Sequence, residues 1–373
     1  MTKITAGKKQ VRKPLAIDLF SGCGGLTEGL KNAGFQVVAA VEIEPKARAI
    51  YAENHPEVWL AGTDIRQVDP LDVLKALKLR PGALDLVAGC PPCQAFSRIR
   101  KRNKGRTAQD GRNQLIEEYG RFVLALLPKR IMLENVPGLS DHHRFTKLVR
   151  ELAAAGYELK YEVLNVKDYA VPQRRRRLIL LGSRDGAPKM ARRRKKNITV
   201  REAIGNLPEA GVSGDPLHDL PERRSDKVKA LLRAIPLDGG SRADLPKSMQ
   251  LKCHQETDGF YDVYGRMAWD DVAPTITGGC HNPSKGRFVH PEKHRAITLR
   301  EAAILQGFPE RYKFDVVHGK EAIALMIGNA LPPPFIAAHA RALAKGLPAY
   351  PRPNIKRKIW QRKRTSKESS VAT

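Results

Sequence analysis

The chain has 373 residues, 42% hydrophobic and 28% charged, a globular composition that excludes a wholly disordered chain, a coiled coil or a collagen-like repeat. Lys and Arg outnumber Asp and Glu 66 to 39, a net charge of +27. Solubility does not need so large an imbalance, so a polyanionic partner, nucleic acid first, is expected.

Five cysteines and an N-terminus without an apolar leader (MTKITAGKKQ) predict reduced thiols in a cytosol. No apolar run approaches the ~20 residues that cross a bilayer. LAIDLF (15–20) reads as a buried strand, as do VVAAVE (37–42), ALDLVAG (83–89), RIMLENV (130–136) and RRLILLG (176–182). Helical patterns lie between them: LTEGLKNAG, PKARAIYAEN, PLDVLKALK, QLIEEYGRFVLALL and FTKLVRELAAAG. This alternation predicts an α/β fold, a doubly wound, mostly parallel sheet with helices on both faces. Ligands are then expected at the carboxyl ends of the strands.

Residues 1–187 read as this first domain. Residues 188–296, which open on a charge run and are rich in Gly, Pro, Asp and Arg over 205–290, read as a second, smaller and less regular one. Regular helices return over 297–349 (TLREAAILQGF, PPPFIAAHARALAKGL), and 350–373 is a basic tail. Basic residues cluster at Arg98 to Arg106, Arg174 to Arg177 and Arg192 to Lys196.

DLFSGCGGL follows the first strand and opens a helix, with Gly22, Gly24 and Gly25 permitting a sharp turn and close ligand approach. Glu42 closes the next strand 20 residues after Gly22, where a carboxylate can grip a ribose diol. The third glycine of a dinucleotide fingerprint is replaced by Thr27. A cofactor with a nucleoside but no pyrophosphate fits better than a nicotinamide dinucleotide. Asp64, after the third apolar segment, is placed to accept from an adenine amino group. GCPPCQAFS (89–97) puts Cys93 at the sheet's carboxyl edge. A redox pair or half a zinc site with Cys90 are competing readings, weakened by the lack of paired ligands at usual spacing. Cys90 itself reads as a small buried residue. Glu134 ends the following strand. Alternation along QRRRR (173–177) turns Arg175 and Arg177 to one face.

Together these segments resemble the DNA cytosine-5 methyltransferase family, in its bacterial modification form. The resemblance rests on DLFSGCGG, the Glu42 and Asp64 positions, GCPPCQAFS, ENV, VPQRRRR, LQGFP (305–309) and GNALP (328–332), all in family order. Leu331 stands where valine is commoner and Ile304 where arginine is frequent. The resemblance implies the S-adenosylmethionine-dependent methyltransferase fold and no metal. It implies Cys93, Glu134, Arg175 and Arg177 as catalytic. The cofactor would be lined by Asp18, Phe20, Gly22, Gly24, Gly25, Glu42, Ile43, Asp64, Ile65, Pro92, Leu115, Asn329 and Ala330. Contacts to double-stranded DNA would come from Gln94, Ser97, Arg98, Arg112, Gln173, Thr275 and Thr277. A basic loop over 96–112 would close as a lid, and 188–296 would read sequence. The chain is expected to act as a monomer, with a cognate restriction endonuclease working separately and no membrane partner. The same chemistry on tRNA, or a catalytically inactive DNA-binding module, are the alternatives.

Overall fold

A computed structural model describes residues 11–92, 114–250, 262–347 and 350–351. The chain divides into two units. The smaller joins the two ends of the chain: β1 (Val11–Arg12) pairs antiparallel with β9 (Tyr350–Pro351). The larger, Pro14–Leu347, holds everything else.

Its centre is a seven-stranded sheet in the order β4-β3-β2-β5-β6-β8-β7. These strands are β2 (Leu15–Leu19), β3 (Gln36–Val41), β4 (Trp59–Gly62), β5 (Leu86–Gly89), β6 (Arg130–Asn135), β7 (Glu158–Asn165) and β8 (Arg176–Ser183). The strands β2 to β6 pair in parallel. β8 runs antiparallel to both β6 and β7. The chain winds outward from β2 to β4, then returns to place β5 on the other side of β2. That reversal is a topological switch point, and the crevice outside the carboxyl ends of β2 and β5 is where such sheets bind ligands.

Strand alternation builds two cores. Ile17, Leu19, Val87, Ile131, Leu133, Leu178 and Leu180 face one side, against α4 (Leu115–Leu126) and α5 (His143–Ala154). Ala16, Ala88, Met132, Ile179 and Leu181 face the other, against α1 (Gly25–Asn32) and α10 (Pro333–Ala344). Both faces are covered, which is why the inner strands read as continuous apolar runs. α2 (Pro45–Asn54) and α3 (Pro70–Ala76) start at Glu44 and Asp69, whose side chains cap the helices before a proline at the first turn.

The irregular stretch carries α6 (Val200–Ile204) and α7 (Asp226–Ala234). A small cluster of Leu231, Leu232, Ile235, Leu245, Val263, Tyr264 and Val289 packs inside it. The Arg266 guanidinium, 0% exposed, organises this stretch by donating to the carbonyls of Leu232, Ile235, His290 and Lys293. α8 (Leu299–Leu305) opens on a Thr298–Glu301 capping box. It shares a core with α6 and with α9 (Lys320–Asn329), a helix the sequence reading did not name. The stretch Lys320–Ala344 has the mean hydropathy of a membrane span. It is broken at Ala330–Pro332 into α9 and α10, and most of its apolar 18-residue window is buried, so its apolar character belongs to the core.

Candidate active site

The site is assembled at the switch-point edge. Register pairs Gly89 with Leu133, so the next residues along, Cys90 and Glu134, stand side by side. The Cys90 thiol donates to Glu134 Oε2 at 3.0 Å. The antiparallel β8 begins at this same edge and delivers Arg177, whose Nε lies 2.9 Å from Glu134 Oε1. Glu134 is only 2% exposed. Burial pushes its carboxyl pKa up, opposed by Arg177, the Cys90 hydrogen bond and Arg175. Burial and then Glu134 push the Cys90 thiol well up, which keeps it protonated and inert, in accord with a structural role.

Arg175 is buried on the same face. Its Nη1 and Nη2 donate to the carbonyls of Ile276 and Gly328, both at 2.8 Å. Burial, then Arg177, pushes it down to about 9, so it is still charged at neutral pH. Its Nε lacks a hydrogen-bond partner. Buried polar groups are normally paired, so a free donor on the wall that carries the Glu134–Arg177 pair suits a polar, planar ligand. Cys93, Gln94, Ser97, Arg98 and Arg112, and with them the expected lid, lie outside the described residues.

The cofactor-type residues occupy the neighbouring edge. Gly22 N–H donates to Glu42 Oε2 at 2.7 Å, and the direction its missing side chain would take meets nothing within 4 Å. Phe20 and Glu42 are half-buried beside this turn, and Ile43 is exposed. Ser21 Oγ is buried without a partner. Asp64 caps the next turn and is held below its usual pKa by Arg66, which grips both its oxygens. Open space over a glycine, an orphaned hydroxyl and carboxylates at the ends of successive parallel strands suit a nucleoside cofactor with a ribose diol. Pro92 and Leu115 are half-buried, Asn329 is exposed and Ala330 half-buried.

Several of the expected site residues are engaged within the fold. Gln173, expected at DNA, is 0% exposed. Its amide donates to Leu305 O and Gln306 Oε1 and accepts from Ile276 N, so no group is left for a nucleotide. Asp18 is also 0% exposed. Thr27 donates to it at 2.7 Å, burial pushes its pKa up to about 8, and it supports the glycine turn from beneath. The Ile65 side chain lies in the core. Gly24 and Gly25 are filled from behind by Tyr312 and His55 and by Leu331 O. Of the two threonines, Thr275 Oγ1 donates to Arg174 O, and Thr277 Oγ1 accepts from Gly279 N–H at 3.4 Å.

Other residues carry the site without having been singled out. Asn135, in ENV, donates to Pro91 O at 2.8 Å and fixes the chain leading to Cys93. Gln306, in LQGFP, donates to Ala330 O at 2.5 Å. Both were visible as motif letters. Asn165, which accepts from Arg175 N–H, carried no signal.

A switch-point crevice with a nucleoside-type turn on one side and a buried carboxylate between arginines on the other defines a cofactor-dependent α/β transferase. The sequence profile of the C-5 cytosine-specific DNA methylases matches residues 15–345, and the chain belongs to that family: it is a DNA cytosine-5 methyltransferase. The family uses S-adenosylmethionine. The chain is 34% identical over 347 residues to the Type II methylase M.HgiDII of Herpetosiphon aurantiacus, covering 89% of this chain and 94% of that one. It is 35% identical over 376 residues to the Type II methyltransferase M.XorII of Xanthomonas oryzae, covering 90% and 85%. An E. coli crystal structure described as a DNA modification methyltransferase encoded within a prophage shares the fold at TM-score 0.64 and 27% identity, covering 88% of this chain and 98% of that one.

Proposed function

We propose that the chain methylates carbon 5 of a flipped-out cytosine at a specific sequence in duplex DNA, as the modification partner of a separately acting endonuclease. The observation that carries this reading is the buried Glu134 paired with Arg177, beside the strand end that leads through Cys90 to Cys93. The Cys93 thiolate bonds to carbon 6 of the ring. Glu134, whose protonated form is favoured by burial, neutralises the charge that develops at ring nitrogen 3. Arg177 holds the cytosine carbonyl oxygen, and Arg175 keeps the surrounding loops in place. When bound, S-adenosylmethionine supplies an electrophilic methyl group to carbon 5. Phe20, Gly22, Glu42 and Asp64 would hold its nucleoside. Loss of the carbon 5 proton expels the thiolate and restores the ring. Flipping the base costs a few kcal/mol, repaid by contacts from the basic segments and from 188–296, which would read the sequence, the chain acting as a monomer.

The test is transfer of labelled methyl to duplex DNA against tRNA, with wild type and Cys93→Ala. Transfer to duplex that is abolished in the variant, with cofactor affinity within twofold of wild type, is expected. Turnover by Cys93→Ala removes the covalent step, and a preference for tRNA overturns the substrate.

A further inference from the structure

The glycine turn after β2 is held from behind by side chains that the mechanism above does not use. Tyr312 Oη donates to Cys23 O at 2.5 Å. A carbonyl only accepts, so the hydroxyl proton is committed there and the phenol oxygen is left as an acceptor. His55 Nε2 lies 3.0 Å from that oxygen and 3.3 Å from Gly24 O. Both are acceptors, so Nε2 carries the ring proton. Nδ1 must then accept, and its partner at 3.1 Å is Lys31 Nζ, which only donates. Lys31 is in turn paired with Glu57 at 2.6 Å. Chemistry thus fixes every donor direction from Glu57 at the surface to the carbonyl of Cys23.

The fit is close as well as polar. A Cβ on Gly24 would stand 2.4 Å from Tyr312 Oη and 2.6 Å from His55 Nε2, and Gly24 has φ +96°. His55 and Tyr312 are 1% and 2% exposed. Burial, then Lys31, lowers the His55 pKa to about 4, so the imidazole stays neutral and the proton pattern holds at physiological pH. Leucine and phenylalanine would fill the same volume without burying polar groups. What the polar pair adds is a fixed position for two consecutive carbonyls.

We propose that His55 and Tyr312 are positioning residues for the cofactor: the chain Glu57–Lys31–His55–Tyr312 locks the Cys23 and Gly24 carbonyls and so the turn on which the nucleoside rests. The inference deepens the proposed function and rests on its assignment of that turn to the cofactor.

Tyr312→Phe deletes one hydroxyl and leaves Cys23 O without its donor. Calorimetry should show S-adenosylmethionine binding weakened about tenfold, with the KM for the cofactor rising in parallel and kcat and DNA affinity within twofold. His55→Gln keeps a donor towards Tyr312 and an acceptor towards Lys31, and should retain most of the affinity; His55→Leu should not. Independently of any ligand, ¹⁵N NMR of histidine-labelled protein should show His55 as the neutral Nε2–H tautomer. Unchanged cofactor affinity in Tyr312→Phe, even with a lowered melting temperature, overturns the proposal, as does an Nδ1–H tautomer. A wild-type chain that binds no S-adenosylmethionine instead overturns the cofactor reading of the turn, while the tautomer result still upholds or overturns the hydrogen-bond chain.

Discussion

Replacing Gly328 with alanine adds one carbon where there is no room for it. The new Cβ would stand 2.2 Å from both Gly278 N and Thr277 C, and 2.7 Å from Thr277 O. Carbon contacts are comfortable near ~3.5 Å, so the two backbones must part by about 1 Å. Neither yields easily. Ile276 is clamped on both sides, its N–H donating to Gln173 and its carbonyl accepting from Arg175. Gly328 O accepts from the same guanidinium. Overpacking of this kind costs about 1–3 kcal/mol, and weakening a hydrogen bond from a charged donor about 1.5–3 kcal/mol, together roughly 2.5–6 kcal/mol. For a unit as large as Pro14–Leu347 the unfolding entropy is roughly 0.7 kcal/mol/K, so the melting temperature should fall by about 4–9 °C. Helix propensity points the other way, since alanine is favoured over glycine within α9 by about 1 kcal/mol. Gly22→Ala is the comparison: its Cβ meets nothing within 4 Å, leaving only the strain of φ +55°, about 1–2 kcal/mol. Scanning calorimetry of the two variants decides the matter. A Gly328→Ala protein that melts within about 1 °C of wild type, or no lower than Gly22→Ala, refutes the reasoning.

Glu134→Gln keeps the shape of the buried side chain and removes its proton-donating capacity; single-turnover methyl transfer should slow by about 10²–10⁴ with cofactor affinity unchanged, and an unaltered rate would exclude Glu134 from proton transfer. Asp18 holds its proton up to about pH 8 in the folded chain against an ordinary value of 3.8. The unfolded chain therefore gives up a proton that the folded chain keeps, and stability falls as pH rises between these values. Asp18→Asn has no such titration, so its melting temperature should gain on wild type between pH 5 and 8; parallel curves would contradict the burial argument. Arg266→Lys places three donors on one nitrogen where a planar fork reaches four carbonyls. It should melt about 1–4 °C lower for each carbonyl it strands, at about 1–3 kcal/mol apiece, while still binding S-adenosylmethionine; an unshifted melting temperature would show that the cage is dispensable.

The inner strands were legible because both their faces are buried, which removes the ambiguity of an alternating pattern. The edge strands were not. β4 shows only as an apolar segment before Asp64, and β7 (ELKYEVLN) mixes charges with apolar residues because one side meets solvent. α9 escaped because it begins at Gly319 with no side-chain cap. At the site, Glu134, Arg175 and Arg177 were legible as types at strand ends, and strand period gave their shared face. What each donor points at was not. Arg175 and Gln173 belong to one short run, yet their targets lie 101 to 153 residues away. No local pattern encodes such partners, and the same holds for His55 and Tyr312, 257 residues apart.

The segment from Gly328 to Leu331 explains why these distant motifs must occur together. Gly328 O is taken by Arg175 on the side of Glu134. Ala330 O is taken by Gln306, which is bonded to Gln173. Leu331 O presses against Gly25, where a Cβ would stand 2.5 Å away. A single strip of backbone is therefore keyed on one side to the carboxylate–arginine wall and on the other to the glycine turn. Its carbonyls, rather than its side chains, set the spacing between the two halves of the crevice. Substitutions that preserve charge but change reach, such as Arg175→Lys, should therefore disturb transfer more than the binding of either substrate alone. A small displacement leaves each half able to bind but moves the reacting atoms apart.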